Sequence, residues 1–143
     1  VKKRKNDVVF GADIIAGFPT ETEKMFADSI NLINECNLTH LHIFPYSQRE
    51  LTPATKMPQV PVNIIKKRAK ILRDMGMENL SRYLKQQVGT NTTMLVEQSN
   101  HYRSLGKSKH FTKIQINQSL PEGAIVNCKI QGVKENILQA TLI

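Results

Sequence analysis

Apolar positions along this chain run first in unbroken blocks, then at helical spacing, and finally alternate with a period of two. Val8–Phe10 and Ala12–Phe18 form a block rich in Val and Ile that stops at Gly17-Phe18-Pro19, as a buried strand does. Thr20 is expected as the N-cap of the next element, with Glu23 three residues on completing a capping box. Met25, Phe26, Ile30, Ile33 and Cys36 then recur at helical spacing, which places Cys36 on the apolar face as a small buried hydrophobe. Asn37 is the expected stop, since Asn tolerates the left-handed conformation. Leu41–Tyr46 reads as a second strand. Strand, helix and strand with short joints make a βαβ unit, hence parallel strands and an α/β layout. Ser47–Pro61, broken by Pro53, Pro58 and Pro61, reads as a loop. From Val62 to about Gln87 the spacing is helical, with Ile65, Leu72, Leu80 and Leu84 apolar and Gly76 placed to kink or split the helix.

Beyond Gly89 the period becomes two: Thr112, Ile114 and Ile116, then Val126, Cys128 and Ile130, alternate with polar residues. Gly106, Pro121–Gly123, Gly132 and Lys134–Asn136 are turn signals, and short strands at that spacing predict a small antiparallel barrel or sandwich. The fold class is therefore α/β for residues 1–87 followed by all-β for residues 88–143, with the boundary near 87–91.

Charge sharpens this division. The net +8 is uneven: residues 1–61 carry seven Lys/Arg and seven Asp/Glu, residues 62–87 seven against two, and residues 88–143 six against three. A basic excess confined to the second part points to an anionic partner, most simply nucleic acid. Lys2, Lys3, Arg4 and Lys5 precede only a short apolar stretch interrupted by Gly11 and Asp13, so neither a signal peptide nor a membrane span is expected and the compartment is read as cytoplasmic. A start at Val1, without Met, is expected of a chain that begins within a longer protein.

Two stretches carry candidate chemistry. In Gly11-Ala-Asp-Ile-Ile-Ala-Gly-Phe-Pro-Thr-Glu21 a strand ends in a Gly and runs into a helix N-terminus, where backbone comes close to a ligand and free N–H groups favour polar or anionic groups. In Phe44-Pro-Tyr-Ser-Gln-Arg-Glu-Leu-Thr-Pro-Ala54 a strand end runs into a polar loop, where Tyr46 and Arg49 contact a ligand or substrate edge, or Tyr46 caps the core and Arg49 is solvated. Ligands of parallel sheets sit at strand C-termini. In the last segment Arg103, Lys107, Lys109 and Lys113 surround one hairpin with Tyr102, His110 and Phe111 interleaved, a mixture of phosphate attraction and base stacking. His40, His42, His101 and His110 have no metal-ligand spacing.

In order and spacing these stretches resemble the last two strands of the radical-S-adenosylmethionine barrel in the tRNA methylthiotransferase family. Phe10–Glu23 and Thr39–Pro61, with His40-Leu-His-Ile-Phe-Pro-Tyr-Ser and Met57-Pro-Gln-Val-Pro, are similar to the branch acting on N6-threonylcarbamoyladenosine. The tail, with Gly106-x-Ser108-x-x-Phe111, looks like the TRAM domain that ends these enzymes. The resemblance implies the last two βα units of a TIM-like partial barrel followed by an OB-like TRAM barrel. It implies that Ile15 and Gly17 lie beside the adenine of S-adenosylmethionine, with Glu21 and Tyr46 as further cofactor-binding candidates. It implies tRNA as partner at Arg103, Lys107, Lys109, His110, Phe111 and Lys113. The family reaction adds a methylthio group at C2 of the modified adenosine beside the anticodon, using S-adenosylmethionine and two [4Fe-4S] clusters.

The sequence departs from that family in two ways. The Cys-x-x-x-Cys-x-x-Cys loop that ligates the radical-generating cluster is absent, Cys36 and Cys128 being the only cysteines, so no catalytic residue or metal ligand is assigned. The chain alone is expected to be non-catalytic: a piece of the methylthiotransferase, an RNA-binding fragment, or the second polypeptide of a split enzyme whose N-terminal half is a separate chain. Family members usually carry Gly where Leu51 stands, and a positive φ there would strain a Leu by roughly 1–2 kcal/mol.

Overall fold

A computed structural model describes Arg4 and residues 7–143; of the N-terminal basic cluster, Lys2, Lys3 and Lys5 lie outside the described residues. The chain divides into two compact units, Val1–Asn79 and Leu80–Ile143.

In the first unit, β1 (Phe10–Ala16), α1 (Glu23–Glu35) and β2 (Leu38–Pro45) form the expected βαβ arrangement, and β1 and β2 pair in parallel with Ile15 opposite Phe44. Alternation sorts the two faces of this sheet. Ile14, Ala16, Leu41 and Ile43 pack with Phe26 and Ile33 of α1 and with Ala69 and Leu72 of α2 (Val62–Gln87). Gly11, Asp13, Ile15, His42 and Phe44, on the other face, are exposed. Each strand has one partner among the described residues, so the sheet keeps two open edges.

Several local expectations change. Thr22 is the N-cap of α1, its hydroxyl accepting from the Met25 N–H; Thr20 instead has φ 71° and donates its N–H to the Pro58 carbonyl. Glu23, at the first helical position, faces Arg68 and makes no capping box. The apolar stripe of α1 ends at Ile33, so Cys36 is an exposed C-cap and no core residue, and Asn37 follows with φ 50°, as a helix stop requires. The loop after β2 contains one 3₁₀ turn, Pro53–Lys56. α2 runs unbroken through Gly76, where a Cβ would sit 3.2 Å from Leu41 Cβ, so the glycine makes room for the sheet.

The second unit is a closed barrel of β3 (Asn91–Ser99), β4 (Ser104–Ser108), β5 (Lys113–Ile116), β6 (Ile125–Lys134) and β7 (Ile137–Leu142), in the order β3-β4-β5-β7-β6 with β6 returning to β3. All pairs are antiparallel except β5 with β7. This order is consistent with the OB-like, TRAM-type barrel and excludes a sandwich. Gly106 and Gly132 are not turns. Gly106 lies inside β4, where a Cβ would fall 1.9 Å from the Leu95 carbonyl oxygen, and Gly132 lies at a bulge in β6. Met94, Val96, Ile114, Ile116, Cys128, Ile130 and Leu138 fill the interior, with Leu84 of α2 fully buried among them and Leu80 and Tyr83 alongside. The unit division falls within α2 because these last turns belong to the barrel core. Burial pushes the Cys128 thiol above its ordinary pKa.

Candidate functional site

The first site lies at the C-terminal ends of β1 and β2. Both strands end together, since Ala16 is in register with Pro45 and the Tyr46 N–H donates to the Ala16 carbonyl. Beyond them opens a hollow of about 700 Å³ lined by Asp13, Ile15, Phe18, Phe44, Tyr46 and Arg49, with the loop as far as Ala54. Its walls are largely apolar: Phe18 meets Tyr46 edge to face with centroids 5.5 Å apart, and Ile15 and Phe44 are both half exposed. A carboxylate, Asp13, and a guanidinium, Arg49, stand among them. Tyr46 Oη is buried with no hydrogen-bond partner among the described residues.

Of the four expected cofactor residues, Ile15 and Tyr46 line this hollow, whereas Gly17 and Glu21 are bound to each other. The Gly17 N–H donates to Glu21 Oε2 at 2.9 Å, and Arg68 Nη1 donates to the same oxygen at 2.6 Å and to the Glu21 carbonyl at 2.9 Å. Arg68 Nη2 reaches Glu23 Oε1 at 2.7 Å, and the guanidinium lies 5.3 Å from the Phe26 ring centre. Burial works against the Arg68 charge, but the hydrogen bonds and charges of Glu23 and Glu21 outweigh it and its pKa stands above the ordinary value. The acidic pair therefore shapes the βα turn. Gly17 has φ +74°, and a Cβ on it would lie 2.5 Å from Ile65 Cγ1, so this position accepts only glycine. Phe18 and Phe44 were not singled out as site residues in the sequence; the open-face alternation Asp13, Ile15 and its register partner Phe44 is the signal for the latter. Arg68 is 47 residues from Glu21 and gave no signal.

The half-exposed apolar side chains with one carboxylate and one guanidinium fit a small organic ligand that has both apolar and charged parts. An iron–sulfur cluster does not suit the chain. Cys36 is exposed at the end of α1 and Cys128 is buried in the barrel, and no three His, Cys, Asp or Glu side chains converge among the described residues.

The second site is the β4–β5 hairpin. Lys107 and Lys113 are register partners flanking its tip, with Lys109 and Phe111 exposed on the tip itself. Arg103 is separate: it precedes β4, at the other end of the strand, beside the exposed Tyr102. Lys107 pairs with Glu97 at 3.2 Å, a surface contact that offers little resistance to a phosphate. His110 Nδ1 meets the Tyr83 hydroxyl at 2.8 Å. Among the described residues no helix is long and apolar enough to cross a membrane.

No family model matches the chain. Over 137 residues it is 43% identical to a threonylcarbamoyladenosine tRNA methylthiotransferase of Rickettsia prowazekii, covering 96% of this chain and 32% of that protein. It is 34% identical over 91 residues to the protein of the same name from Aquifex aeolicus, covering 63% and 22%. It is 38% identical over 98 residues to a tRNA-2-methylthio-N(6)-dimethylallyladenosine synthase of Shewanella pealeana, covering 68% and 21%. The chain spans about a third of the length of the first of these relatives and about a fifth of the others.

Proposed function

This chain belongs to the radical-S-adenosylmethionine tRNA methylthiotransferase family, and we propose that it is the part of such an enzyme that supplies one wall of the S-adenosylmethionine site and the grip on tRNA. Its first unit then forms the last two βα units of the radical-S-adenosylmethionine barrel and its second the TRAM domain. The observation that carries this reading is the hollow at the joint C-terminal ends of β1 and β2, where parallel α/β enzymes bind their ligands. Ile15 and Phe44 hold the adenine by apolar contact, and the Tyr46 ring, edge to face with Phe18, closes one side of the hollow. Gly17 and Glu21 act one step back, fixing the turn through Arg68. When bound, S-adenosylmethionine supplies the family's radical and methyl chemistry. The substrate is N6-threonylcarbamoyladenosine in tRNA, supported by the 43% identity to a relative named for it. The cluster-ligating cysteines come from polypeptide beyond these 143 residues.

On the barrel, Lys107, Lys109 and Lys113 meet phosphates around the hairpin tip, with Arg103 extending the track along β4. Three or four phosphate contacts to a single strand give a log–log salt slope of roughly −2 to −3.

The test has two arms. Anaerobic assembly with iron and sulfide followed by a 5′-deoxyadenosine assay yields no turnover from the chain alone. With a polypeptide carrying the Cys-x-x-x-Cys-x-x-Cys loop, mass spectrometry of tRNA shows the 2-methylthio product, and Ile15→Asp abolishes it. Turnover by the chain alone, or product unaffected by Ile15→Asp, overturns the reading. A second reading, an RNA-binding module without catalysis, is favoured by the barrel's own closed core; it predicts tRNA binding with no product in either arm.

A further inference from the structure

The tip of the β4–β5 hairpin is built more firmly than a solvated turn requires. The Ser108 N–H donates to the Thr112 carbonyl at 2.9 Å, and the Phe111 N–H to the Ser108 carbonyl at 3.0 Å. Ser108 Oγ accepts from the His110 N–H at 3.1 Å and lies 2.6 Å from Thr112 Oγ1, with Thr112 itself buried. The Tyr83 hydroxyl, from the last turns of α2, reaches His110 Nδ1 at 2.8 Å, with ring centres 6.3 Å apart.

What this framework carries is Phe111. Its φ is 61°, a left-handed conformation that Gly or Asn adopts easily and a bulky residue adopts only under strain. The residue is nevertheless 77% exposed. Strain and exposure both oppose Phe here, and neither is repaid by burial in the core. A flat apolar ring held out in water between Lys109 and Lys113 matches the needs of a nucleobase taken out of a stack: a π-face beside cations for the flanking phosphates. A duplex, whose bases are already stacked, offers that ring nothing.

We propose that Phe111 is the stacking platform for one unpaired nucleobase and that Tyr83, acting through His110, is the positioning residue that presents it. This rests on the RNA-binding reading of the hairpin given above and adds that the ligand is a looped or single-stranded segment.

The test uses the full chain and two RNAs of equal length and charge, a stem closed by a seven-base loop and a fully paired duplex, titrated at several salt concentrations. Phe111→Leu keeps an apolar side chain and removes the ring. It weakens binding to the looped RNA roughly 5- to 150-fold, the range of a single base–aromatic stack, and leaves the salt slope and the duplex affinity unchanged. Phe111→Tyr restores the looped-RNA affinity. A 2-aminopurine in the loop, quenched on binding to the wild type, stays bright with Phe111→Leu. Tyr83→Phe keeps the core ring and loses the hydroxyl; it weakens looped-RNA binding without changing the slope, and full affinity removes Tyr83 from the proposal. Equal looped-RNA affinity and equal quenching for wild type and Phe111→Leu overturn the stacking role while RNA binding stands. Absence of wild-type binding to either RNA at low salt overturns the RNA-binding reading itself.

Discussion

The two units close their sheets differently. In the barrel every strand has two partners, and nine buried side chains from four of the five strands and one helix turn form a single interior. In the first unit two parallel strands pair only with each other among the described residues, and one sheet face stays open with Ile15 and Phe44 half exposed. Parallel sheets are ordinarily covered on both faces, and two-stranded ones are marginal alone. Closure thus separates a unit with a continuous enclosed interior from one that leaves a sheet face uncovered among the described residues, and the hollow lies on that open side.

The largest break in this comparison comes from cutting the chain at Asn79/Leu80. Residues 80–143 should give a cooperative thermal transition by circular dichroism. Residues 1–79 should aggregate or melt without cooperativity, and a monomer with a sharp transition would show that the open sheet suffices. A cut at 88 should perform worse than one at 80, because it removes Leu84 from the barrel interior. In the intact chain Leu84→Ala should lower barrel stability by about 2–5 kcal/mol in urea unfolding. Next, Gly17→Ala should destabilise the first unit alone by roughly 1–3 kcal/mol, through overpacking against Ile65 and the positive φ; limited proteolysis within residues 1–79 should accelerate while the barrel stays resistant.

Leu51 offers a gain. It has φ 66° and a fully exposed side chain. Leu51→Gly removes about 1–2 kcal/mol of strain and adds about 0.4–1 kcal/mol of unfolded-chain entropy. A net gain of about 0.5–1 kcal/mol, read as slower proteolysis of the first unit, is expected. The smallest effect is on the barrel. The folded pKa of Cys128 is raised by burial, so its stabilising contribution is complete below the unfolded thiol pKa and is lost as pH rises through the folded one. The slope is at most about 1.4 kcal/mol per pH unit. Melting curves from pH 7 to 10 should show the decline, and Cys128→Val should flatten it.

Period and punctuation made much of this legible. The block ending at Gly17, the stripe of Phe26, Ile30 and Ile33, and the alternation through Ile114–Ile116 and Val126–Ile130 each announced their element. Glycines misled because one residue type answers several demands. Gly106 and Gly132 looked like turns, yet one admits the Leu95 carbonyl and the other sits at a bulge, both set by a neighbouring strand. Gly76 looked like a break, yet it fits Leu41. Cys36 fell one turn beyond the last buried residue of its helix. In the candidate sites, Tyr46 and the hairpin lysines were legible as a strand end and local charge, whereas Ile15 was implied only by the family resemblance. The Arg68 pairing to Glu21 and the Tyr83–His110 contact span 47 and 27 residues and leave no local trace.

The pairing order of the barrel also sets how it folds. β3, β4 and β5 form a meander of neighbours, and β6 with β7 is a hairpin, so both pieces assemble from short-range contacts. Joining them requires Thr92 to find Cys128 and Ile114 to find Leu138. Those two seams carry the loop-closure entropy and make the contact order high for so short a segment. The zipping of β3 to β6 and β5 to β7 is therefore expected to be the slow step, and in stopped-flow refolding, substitutions in those seams should slow the rate more than equally destabilising ones at the β6–β7 turn.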